Sequence, residues 1–193
     1  MAKPTLILAS QSPRRRDILS LTLLSFETMA VETPEELDPL ISIEENVTNI
    51  SLEKAEAALL LLPPESGKNS IILTADTVVA KGNRIYGKPA GFDSAFDMLK
   101  SLQNRSHRVY TGFVLLCGGK THTECVTTTV EFEPMSDNEI KRYLLSEKPF
   151  DKAGAYGIQD PLMACHIRRI EGCYYNVVGL PLSRVCKALK TFL

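Results

Sequence analysis

Three consecutive arginines, Arg14, Arg15 and Arg16, follow Pro13 directly after an apolar run, Leu6-Ile7-Leu8-Ala9, and three small polar residues, Ser10-Gln11-Ser12. This reads as a strand, a turn and a helix opened by Pro13 with Ser12 as N-cap. A helix start already carries unpaired N–H groups and the positive end of the dipole. Cations placed there are locally unfavourable, so three of them imply an anionic occupant, and phosphate fits best.

Four further features have the chemistry to join such a site. Asp76 interrupts an otherwise buried strand, between Ile71-Ile72-Leu73 and Val78-Val79. A carboxylate there must be paired, hydrogen-bonded or on a metal, and it serves either a catalytic role or a local loop contact. Lys54 falls on the apolar side of its helix; it either snorkels to solvent or reaches a cleft. Lys88 stands between Gly87 and Pro89 and is either presented to a ligand or solvated. The stretch Asp151-Lys152-Ala153-Gly154-Ala155-Tyr156-Gly157-Ile158-Gln159 has small residues that permit close backbone approach and a glutamine able to pair with a base edge. A tight structural loop is the competing reading. His107 is read as structural by default; His122 and His166 have no metal-spaced partner and are assigned nothing.

The elements that must position these groups follow from periodicity. Strands are expected at Thr5 to Ala9, Phe26 to Val31, Ile71 to Ala80, Arg84 to Tyr86, Arg108 to Cys117, Thr121 to Phe132 and Ile167 to Ile170. Helices are expected from Pro13 to about Leu23, Glu44 to Leu62, Asp93 to Gln103, from a capping box at Ser136–Glu139 to about Ser146, and from Leu182 to about Phe192. Glu32 to Asp38, acidic and carrying Pro34, is a loop. Early alternation of strands and helices followed by a hairpin around Gly118-Gly119 predicts an α/β fold with a mixed sheet.

The bulk numbers bound the rest. A chain of 193 residues with 44% apolar content supports one compact domain, and a net charge of -1 advertises neither nucleic acid nor membrane. Five cysteines, Cys117, Cys125, Cys165, Cys173 and Cys186, form no C-x-x-C pair and read as reduced cytosolic thiols. No signal peptide is visible, and no apolar run reaches the roughly 18 residues of a membrane span. P-loop, dinucleotide-fingerprint and nucleophile-elbow patterns are absent from the sequence.

Six stretches together resemble the Maf family of nucleoside triphosphate pyrophosphatases, once named septum-formation inhibitors. They are Leu8 to Arg15, Ala75 to Val79, Gly87-Lys88-Pro89, His107 to Gly112, Asp151 to Gln159, and Tyr175 to Pro181. They follow the family's order and spacing over nearly the whole chain. The resemblance implies a single domain over 1–193 with the α/β fold of inosine-triphosphate pyrophosphatases, two lobes around a cleft. It implies cleavage of a nucleoside triphosphate to monophosphate and pyrophosphate in the cytoplasm, with Mg²⁺ or Mn²⁺ and often as a homodimer. The Asp151–Gln159 loop looks like the branch acting on dTTP and UTP. A broad or purine-directed (7-methyl-GTP-type) pyrophosphatase and a non-enzymatic regulator of cell division are the alternatives.

By the same resemblance the catalytic aspartate falls on Asp76, and the specificity positions on Arg14, Thr77 and Gln159. Phosphates fall to Ser10, Arg14, Lys54 and Lys88, and the metal to Glu32 and Asp76. Two departures stand out. Asn104 replaces a glycine before Arg105-Ser106-His107, and Asp160 replaces a glycine after Gln159, placing a carboxylate beside the expected base reader.

Overall fold

The computed structural model describes residues 4–192. The chain forms two compact units, one of Met1–Asp76, Thr111–Val126 and Gly179–Leu193, the other of Thr77–Tyr110 and Thr127–Val178.

The first unit begins with β1 (Thr5–Ala9), α1 (Pro13–Ser20) and β2 (Phe26–Met29), then α2 (Ile43–Leu61) and the short α3 (Pro64–Lys68). β1 pairs in parallel with β2 and with β3 (Ser70–Lys81), in the register Leu6 to Phe26 and Leu6 to Ile71. Parallel strands lie between covering layers, which is why Leu6 to Ala9 and Ile71 to Leu73 are all buried. Ala9, Ala55, Ala58, Ile72, Val114 and Leu116 form a shared core, with Met29, Val31, Leu52 and Leu62 packed on it. Small residues on α2 let the helix lie close to the sheet. Two caps fix the helix starts: Ser12 accepts the Arg15 N–H, and Ser42 with Glu45 makes a full capping box at α2.

The second unit holds the end of β3, β4 (Arg84–Tyr86), α4 (Phe92–Leu102), the start of β5 (Ser106–Cys117) and the end of β6 (Lys120–Phe132). It continues with α5 (Asp137–Glu147), α6 (Pro161–Ala164), β7 (Ile167–Glu171) and α7 (Tyr174–Val178). β4 returns antiparallel on β3, and β7 is antiparallel to β6. Leu99, Leu102, Phe132, Ile140, Tyr143, Leu144 and Met163 are buried here, where α4 meets α5. The last helix, α8 (Leu182–Leu189), belongs to the first unit.

The seven strands run in the order β2-β1-β3-β5-β6-β7, with β4 on β3. This is the mixed α/β sheet expected from the sequence. Several boundaries differ. α1 stops at Ser20 instead of Leu23, because the Thr22 hydroxyl donates to the Leu19 carbonyl at 2.7 Å and Leu23 turns left-handed at φ 59. β2 ends at Met29, two residues short of Val31. The Asp151–Gln159 loop contains a 3₁₀ turn at Ala153–Ala155, and α3, α6 and α7 were not foreseen. Among the described residues no helix is long and apolar enough to cross a membrane, and the five cysteines are free thiols.

Candidate active site

Helix α2 and strand β3 build the centre of the first unit's site. Val47, Ser51 and Lys54 share one helix face, by the spacing of i, i+4 and i+7. That face is drawn tight to the sheet. The Thr74 hydroxyl donates to the Ser51 carbonyl at 2.6 Å, and the Ser51 hydroxyl donates to the Gly112 carbonyl at 3.0 Å. Gly112 is needed at this approach, since a Cβ there would stand 2.5 Å from the Val47 carbonyl oxygen. Two residues beyond Thr74, on the same side of the strand, comes Asp76.

Lys54 therefore does not snorkel. Its Nζ donates to Asp76 Oδ1 at 2.8 Å and to Glu35 Oε1 at 2.7 Å. The side chains of Lys54 and Asp76 are each only 9% exposed, while Glu35 is 42% exposed and opens the triad toward water. Burial of Asp76 is tolerable because a cation lies on it. Glu35 was not singled out from the sequence; the carboxylate expected there was Glu32. Glu32 is exposed, and its Oε1 accepts from Gln11 Nε2 at 3.4 Å.

The arginine turn supplies positive charge to the same unit. Ser10 Oγ accepts from the Ser12 N–H at 3.2 Å and from Arg15 Nη1 at 3.4 Å, while Arg15 Nε donates to the Gly179 carbonyl at 2.8 Å. Burial pulls the Arg15 guanidinium below its ordinary pKa, and neighbouring Arg14 adds to this; Asp76 and Glu35 act in the opposite sense. Arg14 is half-buried beside it. No acidic residue occupies the first turn of α1. Asp76 and Glu35, the carboxylates on Lys54, offset the Arg15 charge, while Arg16 has Asp17 at 3.9 Å. Burial, followed by Glu44 and Glu124, pushes the Cys125 thiol of this unit up to about 12.

The second unit carries the remaining expected residues. Thr77 follows Asp76 on β3 and is half-buried; Lys88 and Gln159 are exposed. The Lys88 and Gln159 loops are joined, because the Gly154 N–H donates to the Gly87 carbonyl at 3.0 Å. Tyr156, in the same loop, meets His107 Nε2 at 2.8 Å. His107 itself lies edge-on to Phe132, with ring centroids 4.6 Å apart, and burial followed by Lys81 pulls its pKa down to about 4. It is a core histidine. Asn176, in the last of the matching stretches, is a buried tie: its Nδ2 donates to the Val109 carbonyl at 3.1 Å and to Thr128 Oγ1 at 3.0 Å.

The two sequence departures also find their places. Asn104 sits at φ 51, a left-handed conformation that glycine adopts freely and asparagine tolerates better than other side chains. Asp160 is half-buried and bound by Lys152 and Tyr143.

A metal must be tested against this donor set. Among the described residues no group of three or more His, Cys, Asp or Glu side chains is gathered for an all-protein metal cage. Asp76 and Glu35 offer hard oxygen donors around one shared cation. That suits Mg²⁺ or Mn²⁺, which are usually held by one or two carboxylates together with substrate phosphates.

Comparison with known proteins agrees in family. The family model described as Maf-like protein matches residues 5–192. A protein of Pelodictyon phaeoclathratiforme named dTTP/UTP pyrophosphatase is 84% identical over the full length of both chains. One of the same name from Chlorobium chlorochromatii is 58% identical, covering 97% of this chain and 95% of its own. A Bacillus cereus protein, also so named, is 40% identical over 97% of this chain and 95% of its own. With a family match along nearly all its length and relatives this similar, the chain belongs to the Maf family.

Proposed function

We propose that this chain, acting as a single domain over 1–193, hydrolyses dTTP and UTP to the monophosphate and pyrophosphate. The observation that carries the reading is Lys54, buried and shared between Asp76 and Glu35. A buried cation between two acids near an acid-free arginine turn suits a site that receives negative charge. The names of the relatives support the substrate class.

Water would attack the α-phosphorus. One P–O bond forms to the water oxygen, the bond from the α-phosphorus to the bridging oxygen breaks, and pyrophosphate leaves with that electron pair. The main obstacle is the charge of the triphosphate, which fixed positive groups offset. In this reading Ser10, Arg14, Lys54 and Lys88 hold the phosphates, and Asp76 orients the water and accepts its proton. An approaching phosphate competes with Asp76 and Glu35 for Lys54, which frees carboxylate oxygens as the substrate arrives. Asp76 would hold a divalent metal together with a carboxylate of the acidic loop. Glu35 is favoured by its contact with Lys54, and Glu32 is the alternative. Such a metal supplies Lewis-acid neutralisation of the phosphate oxygens and a more acidic water.

Gln159 would pair with O4 and N3–H of thymine or uracil, donating through its amide N–H and accepting through its carbonyl. Arg14 and Thr77 would shape that selection. In keeping with the family resemblance the enzyme would act in the cytoplasm as a homodimer, and its near-neutral charge favours neither nucleic acid nor membrane as a partner.

The test is pyrophosphate release from dTTP, UTP, CTP and GTP, with and without Mg²⁺ or Mn²⁺. Metal-dependent release from dTTP and UTP ahead of the others is expected. Tight binding without turnover would make the chain a regulator, and a dominant rate on GTP or its derivatives would move it to the purine-directed class.

A further inference from the structure

Asp160 is the residue where this chain parts from the glycine expected after Gln159, and its carboxylate is fully engaged. Oδ2 accepts from the Tyr143 hydroxyl at 2.5 Å and from Lys152 Nζ at 2.9 Å, and Oδ1 accepts from the same Nζ at 3.0 Å. The Tyr143 oxygen in turn accepts the Gly157 N–H at 3.0 Å, and the Asp160 N–H donates to the Gly157 carbonyl at 3.0 Å. Side-chain exposure is 13% for Asp160 and 15% for Lys152, so this pair is shielded as surface pairs are not. Gly157 and Asp160 also fit each other: a Cβ at 157 would stand 2.6 Å from Asp160 Oδ1.

The outcome is a closed ring from Lys152 to Asp160, anchored through buried Tyr143 to helix α5. Gln159, exposed, stands on this ring immediately before the anchoring carboxylate. The negative charge of Asp160 is met by Lys152, so its effect on a nearby nucleotide comes through geometry rather than repulsion.

We propose that Asp160, with Lys152 and Tyr143, is a positioning residue for substrate selection, which locks the Gly157–Asp160 turn and thereby fixes where the Gln159 amide stands. The inference rests on the reading of Gln159 as the residue that contacts the base. A flexible turn would leave the amide to be ordered on each binding event, a cost that appears in affinity and discrimination rather than in the chemical step.

The experiment compares Gln159→Ala, Asp160→Asn, Lys152→Met and the Asp160→Asn/Lys152→Met double variant, with steady-state kinetics on dTTP, UTP, CTP and GTP and thermal unfolding of each protein. We expect each single change at 160 or 152 to raise KM for dTTP and UTP by about five- to tenfold, with kcat within about twofold. The preference for these nucleotides should narrow, and the double variant should be no worse than either single one, because the pair acts as a unit. Tyr143→Phe removes only the hydroxyl and gives the same reading should Asp160→Asn fold poorly. A merely structural role would lower the unfolding temperature and reduce all nucleotides equally, which overturns the proposal. A shift of preference in Gln159→Ala without one in the Asp160 and Lys152 variants also overturns it, while leaving the reading of Gln159 intact. An unchanged preference in Gln159→Ala defeats that reading and this inference together.

Discussion

Gly112 on β5 approaches Val47 on α2 so closely that a Cβ at 112 would stand 2.5 Å from the Val47 carbonyl oxygen. The obstacle is backbone, so it cannot swing aside as a flexible side chain could. Gly112→Ala must push α2 away from the sheet, and such overpacking costs about 1–3 kcal/mol. Thermal unfolding should fall by roughly 2–4 °C for each kcal/mol in a chain of this size. Lys54 rides the same helix face, so turnover measured well below the unfolding temperature should fall too. An unchanged melting curve would show that α2 is not pinned there.

Asp76→Asn keeps the shape of the residue and removes its ability to accept a proton. Turnover should drop by about two to four powers of ten, the usual loss for an acid–base group. Single-turnover pyrophosphate release is the measurement. Near-normal rates would take Asp76 out of the chemistry.

Chelation should abolish turnover, and added Mg²⁺ or Mn²⁺ should restore it. Glu35→Gln and Glu32→Gln then separate the two acids of the loop. Glu35, on Lys54, should raise the metal concentration needed for half activity by about tenfold, the scale of losing one supporting carboxylate. Glu32, in contact with Gln11, should change it less. The reverse order would return the metal to Glu32.

His107 gives the fold a pH dependence. Its pKa in the folded chain is pulled down to about 4, first by burial and then by Lys81, against an ordinary value of about 6.5. Between these values the unfolded chain binds more protons, so stability falls as pH is lowered from about 6.5 to about 4. Replacing it by His107→Phe should flatten the unfolding temperature over that window. A curve as steep as the parent's would assign the acid sensitivity elsewhere.

Much of this was legible in the chain because the signals are local. Ser12 before Pro13, the Ser136–Glu139 capping box and the alternation of apolar runs each act over a few residues, and the corresponding elements formed where expected, with ends that differ by up to three residues. The short helices α3 and α6 lack periodicity over four or five residues, although Pro64 and Pro161 at their first positions were available cues. Glu35 was harder to see. Glu32, Glu35, Glu36 and Asp38 are similar acids in one irregular segment, and nothing local ranks them. The usable signal was indirect: a lysine on the buried face of α2 has three N–H donors, so one carboxylate leaves room for a second acceptor. Asp160 illustrates the converse. Its identity was plain as a departure, but only the folded loop shows its charge already matched by Lys152.

Arg15 holds the carbonyl of Gly179, a residue 164 positions later in the chain. The first unit is likewise assembled from three separate segments, the last being Gly179–Leu193. A nascent polypeptide emerging from the ribosome thus cannot complete this unit until Gly179 and the helix after it have been made. The unit's apolar strands β1 and β3 are made well before that piece, so deleting α8 should lower the yield of intact protein.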